Sequence, residues 1–211
     1  MRAWILVASL TLMTVHSAAA GTITYTAQGR RVAAVAGQLG GASNGEVKDA
    51  PDFAPWSEMA SALYGNINGS AAATATQVSI LDVDVGITLS GGLSASADVG
   101  FVGNAQSLFG VSFSLAADTP YVSTLSGSAN ITAFSFGSSG SGTLTFAANS
   151  SGILPAGDYS LQINHREASV GGSVSGGYSY SLTVPEPSTV VLSSLAFVGL
   201  LAYAWRVTPI A

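Results

Sequence analysis

The sequence predicts an all-β fold, an antiparallel β-sandwich or jelly-roll-like domain. Three observations carry this. Apolar residues alternate with Ser, Thr and Gly at period two, the mark of half-buried strands. Turn residues interrupt these runs about every ten positions, as in sandwiches. No strand–helix–strand spacing is found, which argues against a parallel sheet.

Taken in chain order, residues 28–55 contain "GQLGGASNGEVKDAPDF", rich in Gly and polar side chains, and read as a long loop. "PWSEMASALY" admits two readings. It is a helix with Pro55 in the first turn and Trp56, Met59, Ala60 and Leu63 on one stripe, or a strand with Met59 on the wrong face. In "NGSAAATATQVS" Thr74, Thr76 and Val78 fit an exposed strand face backed by small residues. The apolar phase then shifts from Val78 and Ile80 to Leu81, Val83, Val85, Ile87 and Leu89. Side chains cannot change faces within a regular strand, so a bulge or bend is expected at Ile80–Leu81. Further on, one face collects Phe109, Val111, Phe113 and Leu115. Shorter runs align Phe134 with Phe136 and Leu144 with Phe146. The last two strands align Tyr159, Leu161 and Ile163, then Tyr178, Tyr180, Leu182 and Val184. "GSSGSG" at 137–142 and "VGGSVSGG" at 170–177 read as turns.

Composition narrows the function. Only 8% of the 211 residues are charged, while 48% are apolar, so a core is available but ion-pair chemistry is scarce. The net charge of -5 makes nucleic acid a poor partner, because phosphate binding needs clustered Lys and Arg. Cysteine is absent, which removes disulfides, thiolate nucleophiles and Cys-ligated zinc. No cofactor and no enzymatic activity are expected.

The two ends carry an address. "MRAWILVASLTLMTVHSAAAG" has a positive Arg2, an apolar run from Trp4 to Val15, and small residues at Ala18 and Ala20. It reads as a secretory signal peptide over residues 1–20, cleaved between Ala20 and Gly21. Residues 21–183 form the mature domain. The tail, 184–211, opens with Val184, Pro185, Glu186, Pro187, Ser188 and Thr189. Both prolines lack an N–H and keep the last strand from running on into a helix. From about 189 to 205 no residue is charged, a length near the lower limit for a transmembrane helix, and Arg206 follows as the membrane stop.

This order of parts resembles the PEP-CTERM sorting domain, and "VPEPST" at 184–189 is close to its typical form. The resemblance implies export through the Sec machinery of a Gram-negative bacterium and an inner-membrane-anchored precursor. It further implies processing by exosortase near Pro185–Glu186–Pro187, with release to the cell surface or extracellular matrix. Members are associated with exopolysaccharide or biofilm. The usual terminal cluster of arginines is reduced here to Arg206. The "LPAGDYSLQI" stretch before the tail is similar to segments of other small β-proteins of this kind.

Four candidate constellations lie in the domain. "GASNG" at 41–45 has the G-x-S-x-G form of a nucleophile elbow but stands in a Gly-rich loop without strand–helix context. His165 in "NHRE" is read as a surface residue at a strand end, with Arg166 and Glu167 on opposite faces. Asp82 and Asp84, two apart on one strand face, make a weak Ca²⁺ candidate. Trp56, with Tyr64 and Tyr121 behind it, is the candidate stacking platform for a sugar. The expected role is structural or adhesive in the matrix; the alternative is a carbohydrate-binding module recognising exopolysaccharide.

Overall fold

The computed structural model describes residues 22–127, 131–138 and 148–184, with the backbone alone for 131–138. The expected signal peptide at 1–20, most of the "GSSGSG" stretch (139–142), the Leu144–Phe146 run and the tail from Pro185 onward lie outside the described residues.

Among these residues the chain forms eleven strands: β1 (Ile23–Gln38), β2 (Ser43–Asp49), β3 (Trp56–Asn66), β4 (Gly69–Asp82), β5 (Gly86–Ala97), β6 (Phe101–Leu115), β7 (Thr119–Gly127), β8 (Ile131–Ser138), β9 (Ser150–Leu154), β10 (Gly157–Ser169) and β11 (Gly172–Thr183). They pair in two antiparallel sheets, a five-stranded one in the order β2-β1-β6-β10-β8 and a six-stranded one in the order β3-β4-β5-β11-β7-β9. The fold is the expected β-sandwich. From β5 onward each successive strand switches sheets, so neighbours in a sheet are far apart in sequence and the two layers are laced together.

The period-two runs form the core. Phe109, Val111, Phe113 and Leu115 of β6 face Tyr159, Leu161 and Ile163 of β10 in the same sheet, and all are buried. Tyr178, Tyr180, Leu182 and Val184 line the opposing sheet. Phe113 and Tyr159 stack at 5.5 Å between ring centroids. At the other end the core is built of alanines, among them Ala34, Ala36, Ala73, Ala75 and Ala105, and the sheets close in. There Gly103 of β6 faces the backbone of β4 and β5, and an added Cβ would lie 2.6 Å from the Ala72 carbonyl oxygen.

Several expectations are corrected. Residues 28–55 are mostly strand, because Arg30, Val32, Ala34 and Ala36 alternate inward on β1 and only 39–42 turn to form the β1–β2 hairpin. Of the two readings of "PWSEMASALY", the strand is the one found: β3 turns Trp56, Ala60 and Ala62 inward while Met59 faces solvent. No bulge falls at Ile80–Leu81. The β4–β5 register is continuous, with Gln77, Ser79 and Leu81 inward and Val78 and Ile80 outward. Val83 and Val85 belong to the turn that follows. Register shifts lie instead at Tyr25–Ala27 of β1 and at Asn164–His165, where β10 pairs with β8. "VGGSVSGG" is a turn only at Val170–Gly171, and the rest begins β11.

Candidate functional site

Strand alternation carries polar side chains inward as readily as apolar ones wherever the sequence puts them in phase. On β10 the inward series Tyr159, Leu161, Ile163 continues as His165, Glu167 and Ser169. On β6 Ser107 stands in the same phase as Phe109, and it pairs across the sheet with His165. On β4 the phase brings in Gln77 and Ser79, and on β1 Arg30. A polar layer therefore crosses the middle of the sandwich.

Two groups make up this layer. In the first, His165 Nε2 lies 3.3 Å from Glu167 Oε1, with the two side chains 0% and 2% exposed. The imidazole meets the Tyr178 ring edge-on at 5.2 Å. Its Nδ1 is buried without a hydrogen-bond partner among the described residues. Tyr178 and Ser107 share a 2.7 Å hydrogen bond. Burial pushes the Tyr178 phenol up to about 12, partly offset by that bond. With its amide turned to satisfy its surroundings, Gln77 donates to Ser107 Oγ at 3.2 Å and to the carbonyls of Arg31 and Leu108 at 3.3 and 3.1 Å. One side chain of the six-stranded sheet thus bonds the backbone of the five-stranded one.

The second group centres on Arg30, 1% exposed. Its guanidinium donates to Ser79 Oγ at 3.0 Å, Gln28 Oε1 at 3.2 Å, the Ala54 carbonyl at 3.0 Å and the Asp52 carbonyl. The Trp56 ring lies 5.9 Å from its Cζ. Burial lowers its pKa, and Asp52 opposes the shift. Arg30 thereby ties the Pro51–Pro55 connection to the core.

Serine, histidine and glutamate on neighbouring strands have the residue types of a hydrolytic triad. Here all three are buried between the sheets, and the arrangement satisfies buried polar groups and joins the layers. His165 is accordingly an interior residue rather than a surface one at a strand end, while Arg166 and Glu167 do point to opposite faces. Ser43 begins β2 opposite Gly37 and leads into a strand, which lacks the helix an elbow requires.

The other candidates are also displaced. Asp82 closes β4 and Asp84 sits in the turn, so they share no strand face. Asp82 Oδ1 accepts the N–H groups of Asp84 and Val85 at 2.9 and 3.1 Å. Among the described residues no three acidic or histidine side chains gather as metal ligands. Trp56 is 8% exposed and covered by Arg30, and Tyr121 is 4% exposed. Tyr64 packs at 6.2 Å against Phe101. β3 and β7 are separated by three strands, so the three aromatics form no common platform. What sequence reasoning missed, the buried Arg30 and Glu167, was marked only by phase.

At the end of the domain, Val184 is buried and its N–H donates to the Val85 carbonyl at 2.9 Å. The chain therefore remains packed up to the residue before Pro185. Comparison with known families matches residues 183–206 to the PEP-CTERM protein-sorting motif. Neither a curated protein nor a solved structure matches the chain. The motif indicates exosortase-dependent sorting of an exported protein.

Proposed function

We propose that this chain is a surface or extracellular-matrix protein with a structural or adhesive role, released from an inner-membrane precursor and associated with exopolysaccharide, rather than an enzyme. The observation that carries the reading is the join between domain and tail. The sorting motif begins at Thr183, the last residue of β11, and Val184 is still locked into the sandwich. Cleavage near Pro185–Glu186–Pro187 would release a complete sandwich without unravelling it. The burial of His165 and Glu167 away from solvent is what favours a non-catalytic reading.

Intact-mass measurement of the exported protein tests this. The expected species lacks residues 1–20 and everything beyond the Pro-Glu-Pro region, and fractionates with the surface or matrix. Replacing Pro185, Glu186 and Pro187 by Ala should hold the chain in the inner membrane. Recovery of the native chain with its tail intact in the inner-membrane fraction would refute the reading.

A further inference from the structure

The outer face of the five-stranded sheet contains a trough of about 300 Å³. Its floor is Gly29 of β1 and Gly110 of β6, which are directly paired in the middle of the sheet. Neither glycine has a positive φ. A Cβ added at Gly29 would meet nothing within 4 Å, and one at Gly110 would only touch the Gly29 carbonyl at 3.4 Å. Glycine weakens a strand interior, and here neither backbone conformation nor packing demands it. What the pair does is leave an open floor. Two rows of side chains border it, Arg31, Leu108 and Asn164 on one side and Ala27, Ser112 and Ser160 on the other. These rows stand about 13 Å apart along the strands, leaving width for one sugar ring between their side chains.

The chemistry around the trough is uncharged and polar. Gln162 pairs with Gly110 at the end of the floor. Gln162, Ser112 and Ser160 make no side-chain hydrogen bond among the described residues. Beyond them an amide ladder continues along β6 and β10. Gln106 donates to Asn164 at 2.9 Å, and Arg166 donates to Asn104 at 3.1 Å. Asn is disfavoured on strands, yet Asn104 and Asn164 stand with Gln106 and Gln162 on this one face. An amide offers donors and an acceptor side by side, a match for the adjacent hydroxyls of a sugar.

We infer that this trough binds an uncharged polysaccharide chain through hydrogen bonds from Gln162, Ser112, Ser160 and the neighbouring amide ladder. The inference rests on the matrix role proposed above and supplies its partner. A polyanionic glycan fits less well. The chain carries a net charge of -5, and Arg31 on this face is already held by Asp49 at 2.6 Å.

Native gel electrophoresis of the exported protein through dextran, galactomannan or mixed-linkage β-glucan, with alginate as the charged comparison, tests the inference. At least one neutral polymer should retard the protein. Gly29→Thr fills the floor at a position with free space and suits a strand, so it should leave the urea midpoint unchanged or raised. It should also weaken retardation at least tenfold in polymer concentration. Gln162→Ala should weaken it several-fold, and Ser90→Thr, on the outer face of the other sheet, should leave it intact. Retardation by alginate alone, by no polymer, or undiminished in folded Gly29→Thr would overturn the site. Retention in the inner membrane with retardation preserved would instead refute the matrix role and leave the site standing.

Discussion

Arg30 and Trp56 form the inner contact of the β1–β3 corner, with the guanidinium carbon 5.9 Å from the indole ring and both side chains buried. Among the described residues no carboxylate forms an ion pair with this cation, although the nearby Asp52 favours its charged form; its donors go to Ser79, Gln28 and two carbonyls of the Pro51–Pro55 connection. Removing it leaves those acceptors buried and unbonded. Arg30→Met should therefore cost about 3–5 kcal/mol in urea unfolding. Arg30→Lys should recover less than half of that, because an ammonium cannot span the same fork of acceptors. Equal stability of Arg30→Met and the parent would show that the polar corner contributes nothing.

Gly103 and Gly29 predict opposite outcomes for the same substitution. An alanine methyl at Gly103 would sit 2.6 Å from the Ala72 carbonyl oxygen and 2.8 Å from that of Ser96, both backbone atoms of the facing sheet. Only separation of the sheets relieves it. Gly103→Ala should cost about 2–3 kcal/mol or more through overpacking, while Gly29→Ala, into free space, should be neutral or slightly stabilising. Thermal unfolding of the two variants side by side decides the matter.

How far the fold could be read in advance follows from what period two encodes. Where the inward phase is aromatic or aliphatic, as in Phe109–Leu115 or Tyr178–Val184, pattern and burial coincide. Where the inward phase is Ala, Ser or Arg, the contrast fades. Residues 28–38 of β1 thus read as loop in the sequence although Arg30, Val32, Ala34 and Ala36 point inward. In β4 the pattern inverts. Val78 and Ile80 are the apolar residues, yet they face out, because pairing with β5 fixes Gln77, Ser79 and Leu81 inward. The sorting motif was legible because it is a local string. The polar layer and the glycine trough were not, since each joins strands distant in sequence.

The side of the sandwich where β2 meets β3 is closed by side chains rather than by strand pairing. Asn44 Nδ2 donates to the Leu63 carbonyl at 2.8 Å, and Glu46 Oε2 accepts the Ser61 N–H at 2.7 Å. Both targets are backbone groups on the edge of β3, which would otherwise offer a template to another chain. The double variant Asn44→Ala, Glu46→Ala should change the urea midpoint little, since both bonds are exposed, yet associate with rising concentration in light scattering. The Ser61 N–H bond lowers the Glu46 pKa, with Lys48 adding to the shift. A depressed carboxylate contributes above its unfolded pKa and loses that contribution as pH falls through the folded value. The parent should therefore begin to associate in acid, below the ordinary carboxylate range. Monodispersity of the double variant at high concentration would show that this edge needs no guard.

At the opposite extreme of pH, the buried tyrosines set the limit. Burial raises Tyr178 and Tyr180 from 10.0 to about 12, their hydroxyls bonding Ser107 and Ser123. Tyr25 and Tyr159 are raised in the same sense, again chiefly by burial. Between pH 10 and about 12 the folded chain holds phenolic protons that the unfolded chain has released. Stability is then unaffected below pH 10 and falls as pH rises through that window, by up to about 1.4 kcal/mol per pH unit for each such tyrosine. Urea midpoints measured from pH 8 to 12 should stay level and then drop, with tyrosinate absorbance appearing together with unfolding. Tyr178→Phe removes one of these protons and should make the decline shallower. Its own cost at neutral pH, about 1 kcal/mol for the lost Ser107 bond, should shrink as pH climbs. Tyrosinate absorbance complete near pH 10 with the sandwich still folded would mean that Tyr178 and Tyr180 are open to solvent and that the polar layer is not sealed.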